Sequence, residues 1–114
     1  YSDGVAVSGD AKWVFVSGTI GQDFATGAFP DGADRQSEIA LDTIEDALCK
    51  AGSSLADVVR VRVYVPDRND VIAVSQVLRQ RLGTNRPANT TVCSPLAVEG
   101  AKVEIEVTAR RTGV

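Results

Sequence analysis

The sequence predicts an α+β fold in which a mixed sheet carries two helices on one face. Three observations predict it. Two segments alternate strictly between apolar and polar residues, VVRVRVYV at 58–65 and AKVEIEVTARR at 101–111, as half-buried strands do. Two stretches repeat apolar residues at spacings of three and four, one on each side of the first strand. A glycine follows each of them as a stop signal, Gly52 and Gly83.

In chain order, two short strands are expected at residues 5–7 and 13–17, joined by the turn-forming SGDAK. The loop TIGQDFATGAFPDGAD follows. It lacks both the GK[ST] ending of a phosphate-cradling loop and the GxGxxG spacing of a dinucleotide fold, so nucleotide binding has little support. From Asp34 a helix presents Ser37, Ala40, Leu41, Ile44, Ala47, Leu48 and Ala51 on one stripe. Its other face gathers Glu38, Asp42 and Glu45 on the side of Cys49, a neighbourhood expected to blunt that thiol's reactivity.

In the strand at 58–65, Val59, Val61, Val63 and Val65 face one way and Arg60, Arg62 and Tyr64 the other. PDRND makes a turn with Asn69 or Asp70 as N-cap, and a second helix runs to about Leu82 on a stripe of Val74, Val77, Leu78 and Leu82. RPANTTVC, residues 86–93, opens another strand at Pro87, with Asn89, Thr91 and Cys93 on one face and Thr90 and Val92 on the other. The last strand sets Val103, Ile105, Val107 and Ala109 against Glu104, Glu106 and Thr108.

The expected order is therefore β-β-α-β-α-β-β. Each helix joins parallel neighbours, the end pieces pair as hairpins, and both helices lie on one side. The opposite face would carry Arg60, Arg62, Tyr64, Glu104 and Glu106, joined by Asn89 and Thr91. Such a polar face is either wet or meets other subunits.

At 114 residues one domain, 1–114, is expected, of a size that buries roughly two thirds of its unfolded surface. No apolar run approaches the ~20 residues of a membrane span. The chain starts YSDGVAV, with no signal-peptide pattern and no initiator Met, which leaves room for residues ahead of Tyr1. A net charge of −3 with scattered basic residues makes nucleic acid a poor partner. Two cysteines in different elements form neither a metal spacing nor a disulfide framework, and a reducing cytoplasm fits them. The absence of histidine removes Ser-His-Asp and Cys-His catalysis and His-ligated zinc.

Several motifs recur in one order and spacing: SGTIGQD with TG following, LCKAG, DVVRVRVYVPDRND, PANTTV and VEIEVTA. Together they resemble the Rid family, the YjgF-like reactive intermediate deaminases also labelled translation inhibitors or L-PSP endoribonucleases. The resemblance covers nearly the whole chain. It implies a chorismate-mutase-like fold and a homotrimer whose sheets form a central barrel, with clefts at the subunit interfaces. It also implies cofactor-independent hydrolysis of enamines and imines to keto acids and ammonia.

In that family an arginine of a PAR motif clamps the substrate carboxylate and a glutamate of the final strand positions the attacking water. Glu104 matches the glutamate, whereas the arginine position is Asn89. Thr91 stands where the family has a cysteine, Ser75 where it has a helix asparagine, Ser17 matches its serine and Tyr1 its N-terminal tyrosine. Losing a guanidinium should weaken a carboxylate ligand about ten- to hundredfold, since a hydrogen bond to a charged group contributes about 1.5–3 kcal/mol. Arg86, at an odd offset from Asn89, should point to the opposite face.

Plainer readings stand beside these. Glu104 is a rung in a charge ladder with Arg60 or Arg62, or one of two carboxylates about 7 Å apart with Glu106, a spacing found in glycoside hydrolysis. Cys93 looks into the cleft or is a buried hydrophobe; Tyr1 stacks on a ligand or frays; Ser17 and Gly18 rim a site or end a strand. Asn89-Thr90-Thr91 also fits a glycosylation acceptor, without a secretory signal to use it. Three functions follow: an imine or enamine hydrolase with altered substrate, a trimeric binding or sensing module, and a ribonuclease, which the acidic balance disfavours.

Overall fold

Alternation in the chain becomes layering in space: the valine face of each central strand meets the helical stripes, and the polar face is left open. The computed structural model describes residues 1–113. Its elements are β1 (Trp13–Ile20), α1 (Ala33–Lys50), a 3-10 turn (Leu55–Asp57), β2 (Val58–Val65), a second 3-10 turn (Arg68–Asp70), α2 (Val71–Leu82), β3 (Ala88–Cys93) and β4 (Glu104–Arg110). The sheet order is β1-β4-β2-β3, with β4 antiparallel to both β1 and β2, and β2 parallel to β3. The α+β class with both helices on one face is as the sequence predicts.

Three details of the expected order differ. Residues 5–7 form no strand: so short a segment between Gly4 and Gly9 buries too little to hold a hairpin, and Val5 is exposed. The N-terminus is instead pinned by one parallel bridge between Ser2 and Ala88. The strands joined by α1 are parallel but not neighbours, because β4 lies between them; the end pieces accordingly form no hairpin. The observed order is β-α-β-α-β-β.

Two irregularities re-aim side chains. A register shift between Val58 and Arg60 turns Val58 into the core and Val59 out of it, so the expected inward run starts at Val61 rather than Val59. A second shift, between Val16 and Thr19, lets β1 continue through Ser17 and Gly18 to Ile20 instead of stopping at Gly18.

The core joins Leu41, Ile44 and Leu48 of α1 and Val74, Leu78 and Leu82 of α2 to Val61, Val63, Val65, Ile105 and Val107 of the sheet. Burying each such side chain contributes roughly 1.5–3 kcal/mol. Across the helices, Arg81 spans three carboxylates of α1: Glu38 at 3.1 Å, Asp42 at 2.9 Å and Glu45 at 3.6 Å. The acids expected to crowd Cys49 are thus gathered by Arg81, and Cys49 is exposed. Ahead of α2 the capping side chain is Asp67, which accepts from the Asn69 N–H; Asp70 occupies the N-cap without a side-chain bond.

One buried polar side chain ties distant loops to α1. Gln36, 1% exposed, donates through Nε2 to the carbonyls of Pro30 and Gly100 and accepts at Oε1 from the Lys102 N–H at 2.8 Å. It thereby fixes the segment leading into β4. Replacing Gln36 with Ala leaves these groups without a partner, each at about 1–3 kcal/mol. Gln36→Ala is expected to lose about 2–4 kcal/mol in urea unfolding; a loss under 1 kcal/mol would show that the loops do not depend on it.

Candidate active site

Glu104 opens β4 and stands opposite Tyr64 on β2 and Ile20 on β1, on the sheet face away from the helices. Its carboxylate lies over Gly18: a Cβ added at Gly18 would meet Glu104 Oε2 at 2.4 Å. A side chain at Gly18 would displace that carboxylate, and the bulge at Ser17 and Gly18 brings the two together. The ladder role belongs to Glu106 instead. Its Oε1 accepts from the Tyr64 hydroxyl at 2.8 Å and lies 3.7 Å from Arg62 Nη1. Among the described residues the Glu104 side chain has no hydrogen bond or ion pair, and the rung with Arg62 is Glu106 instead.

The other candidates gather at the opposite edge. In the parallel register Asn89 pairs with Val61, Thr91 with Val63 and Cys93 with Val65, so the polar row shares the face of the core valines, under the helices. This corrects the expected placement of Asn89 and Thr91 beside Arg60, Glu104 and Glu106. The strand alternates as expected, but a parallel edge strand takes its facing from β2, which alternation alone does not supply. Asn89 Nδ2 donates to Thr91 Oγ1 at 3.1 Å, and Asn89 Oδ1 is a buried acceptor with no partner among the described residues. Cys93, at the strand's end, is exposed rather than buried.

Tyr1 and Ser75 meet in a cavity of about 100 Å³ beside α2, which Arg79 and Arg86 also line. Arg86 lies before the strand, so alternation does not govern it, and it sits on the helix side rather than the side expected. Its Nη1 donates to the carbonyls of Gly83 and Asn85. Burial raises the Tyr1 phenol pKa, and the charge of Arg79 partly opposes this. Tyr1 is about half exposed, so it is neither frayed away from the fold nor sealed into it. Arg79 was legible as the residue four after Ser75 on one helix face, whereas the Gly18 contact needed the bulge to reveal it.

Gly18 and Glu104 thus meet where β1 and β4 pair, next to Ser17 in the bulge, while Tyr1 and Ser75 meet beside α2 and Asn89 and Thr91 lie on edge strand β3. Strand β2 separates them. Glu104 is level with Tyr64 and Val92, three residues along the strand direction from Asn89. That offset is about 10 Å at the rise of an extended strand, and the two groups face opposite sides of the sheet. Within one chain the clusters do not meet. Among the described residues there is no group of three or more Cys, Asp or Glu placed to hold a metal, and no helix long and apolar enough to cross a membrane.

The pattern of the endoribonuclease L-PSP family, to which the RidA and YjgF proteins belong, fits residues 1–111. The chain is a member of this Rid family. It is 33% identical over 110 residues to a 2-iminobutanoate/2-iminopropanoate deaminase of Capra hircus, covering 96% of this chain and 78% of that protein. The fold matches RidA from an Antarctic Psychrobacter with TM-score 0.80 at 31% identity, over 96% of this chain and 87% of that one. A YjgF/YER057c/UK114-family structure from Mycobacterium tuberculosis matches with TM-score 0.76 at 37% identity, over 96% and 86%. The Rid frame predicted from the quoted motifs is therefore the frame of this chain.

The Tyr64 bond to Glu106 has a measurable signature. It raises the phenol pKa above its ordinary 10.0, because the neutral O–H is the donor and the carboxylate repels phenolate. With the folded pKa above the unfolded one, its stabilising contribution is present below pH 10 and is lost as pH rises through the folded value. Of the two tyrosines, Glu106→Gln is expected to lower the titration of one and leave the other, Tyr1, in place when both are followed by phenolate absorbance. Two unchanged titrations would remove the bond.

Proposed function

We propose that this Rid-family chain is a cofactor-independent hydrolase of small imines or enamines, working in clefts between subunits of a homotrimer. The observation that carries the reading is the free carboxylate of Glu104, held over Gly18 while its neighbour Glu106 takes Arg62 and Tyr64. In the cleft Glu104 Oε2 accepts a proton from water as the oxygen adds to the C=N carbon. That proton passes to the imine nitrogen to give a neutral carbinolamine, Glu104 then carries the carbinolamine's hydroxyl proton to the same nitrogen, and the C–N bond breaks as C=O forms, releasing ammonia and a carbonyl compound.

A cleft between copies suits the separation of the clusters, since one chain supplies Glu104, Ser17 and Gly18 and another Tyr1, Ser75, Asn89 and Thr91. Two further features support assembly. Phe15 is 76% exposed on the open sheet face beside Trp13, and β1 and β3 are edge strands. The exposed thiols Cys49 and Cys93 suit a reducing compartment such as the cytoplasm.

Asn89 shapes the substrate. Its amide N–H is engaged by Thr91, and its unpartnered Oδ1 is an acceptor waiting for a donor, such as the N–H of an imine or amide. The same replacement favours a second reading, a trimer that binds the ligand without turning it over. Ribonuclease activity has less behind it: 12 basic residues face 15 acidic ones, and no histidine is available for general acid and base work.

Imines generated by an amino-acid oxidase distinguish the two readings. Wild type is expected to hydrolyse part of such a panel faster than buffer, and Glu104→Ala to lose about 10²-fold or more in kcat/KM with its thermal midpoint kept. If no imine is hydrolysed by wild type and only Asn89→Arg is active, the natural protein is a binder. Sedimentation at micromolar concentration is expected to give three copies of the 12.0 kDa chain. A monomer there removes the shared cleft.

A further inference from the structure

On the open sheet face Arg60 carries a charge that no neighbouring side chain offsets. Its Nε is buried without an acceptor among the described residues, and its guanidinium forms no ion pair there. Thr108 stands directly across from it on β4. Together with Phe15, Arg62 and Glu106 the two line a cavity of about 190 Å³. Glu106, the acid of that lining, is engaged by Arg62 at 3.7 Å and by the Tyr64 hydroxyl at 2.8 Å. Asp3 lines a neighbouring cavity that also reaches Arg60, yet makes no ion pair with it. Two guanidiniums against one committed carboxylate leave the cavity with positive charge in excess, and a buried donor without an acceptor points to a partner from outside the chain.

We infer that Arg60 and Thr108 hold a small inorganic oxyanion between the copies of the homotrimer, and that this anion strengthens the assembly. The inference rests on the homotrimer proposed above. Phe15, whose exposure supports assembly, walls the same cavity, so a copy docked over Phe15 also covers the anion. Cyclic symmetry then repeats Arg60 at equivalent positions around one axis. Like charges drawn together and stripped of water repel, and the cost rises as the local dielectric falls. An oxyanion removes that cost: its oxygens accept from the guanidinium N–H groups, with the Thr108 hydroxyl as a further donor. The volume admits a tetrahedral anion with water beside it and is too small for a nucleotide. Thr108 lies four residues along β4 from Glu104, about 13 Å at the rise of a strand, so the anion stands apart from the proposed reaction.

Inorganic phosphate is the probe. Sedimentation of the full chain is compared in phosphate and in chloride of equal ionic strength, at protein concentrations low enough to show dissociation. Wild type is expected to assemble about tenfold or more tightly in phosphate, because an anion held only by the assembled form adds its binding free energy to the assembly. Arg60→Gln should lose that dependence and assemble in chloride at least as well as wild type, since the repulsion goes with the charge. Arg60→Lys, which keeps the charge, should keep part of the dependence. Thr108→Val, a replacement that suits a strand, should weaken it, and carries the test if circular dichroism shows that Arg60→Gln does not fold. Equal assembly of wild type in the two salts, or a phosphate dependence unchanged in the folded variants, overturns the inference and leaves the trimer standing. A monomer in both salts overturns the trimer reading itself, and this inference with it.

Discussion

Strand β4 is hydrogen-bonded on both sides, and the rest of the molecule is arranged by that fact. It enters antiparallel between β1 and β2, which α1 would otherwise leave as parallel neighbours. Its Ile105 and Ala109 are wholly buried and Val107 nearly so, meeting α1 on one face. The obligatory alternation of a strand then sends Glu104, Glu106 and Thr108 to the other face. A strand central to the sheet has little freedom to shift, because a one-residue slip would bury the acids and expose the core. The stability of the core and the aim of the candidate catalytic carboxylate are consequences of one register.

That register also distinguishes two acids of the same type two residues apart. Glu106 stands beside Arg62 and reaches the Tyr64 hydroxyl, so its charge is shared. Glu104 stands where β1 bulges, over a glycine that offers no side chain. A carboxylate with neighbours is structural, and one kept apart from them is available to a water or a ligand. The bulge at Ser17 and Gly18 therefore has a chemical consequence: it leaves Glu104 uncommitted.

Much of this was legible in the chain. Strict alternation at 58–65 and 101–111 placed β2 and β4, and the helical stripes with Gly52 and Gly83 behind them placed α1 and α2. Alternation is local, and it carries no statement of which strand lies next to which. The insertion of β4, the facing of Asn89 and Thr91, and the loss of the expected strand at 5–7 all depend on tertiary pairing. Likewise Glu104 was identifiable as a candidate from its motif, while its contact with Gly18 depends on a bulge that shifts the register by a count no periodicity displays. The single bridge of Ser2 to Ala88 has no pattern behind it at all, yet it sets Tyr1 over α2.

Asn89 acquires a different meaning once its side is known. On the open face Asn89 would have stood with Arg60 and Arg62, among cations and in reach of water. On the helix face it shares its surroundings with Thr91 and the core valines, and a charge there would need a partner to offset desolvation. Asparagine avoids that requirement: its N–H is satisfied within the strand by Thr91, and only a neutral acceptor remains buried and open. The cations instead stand at the rim, on α2 and the loop before β3, where solvent lowers the cost of holding them in the absence of a ligand.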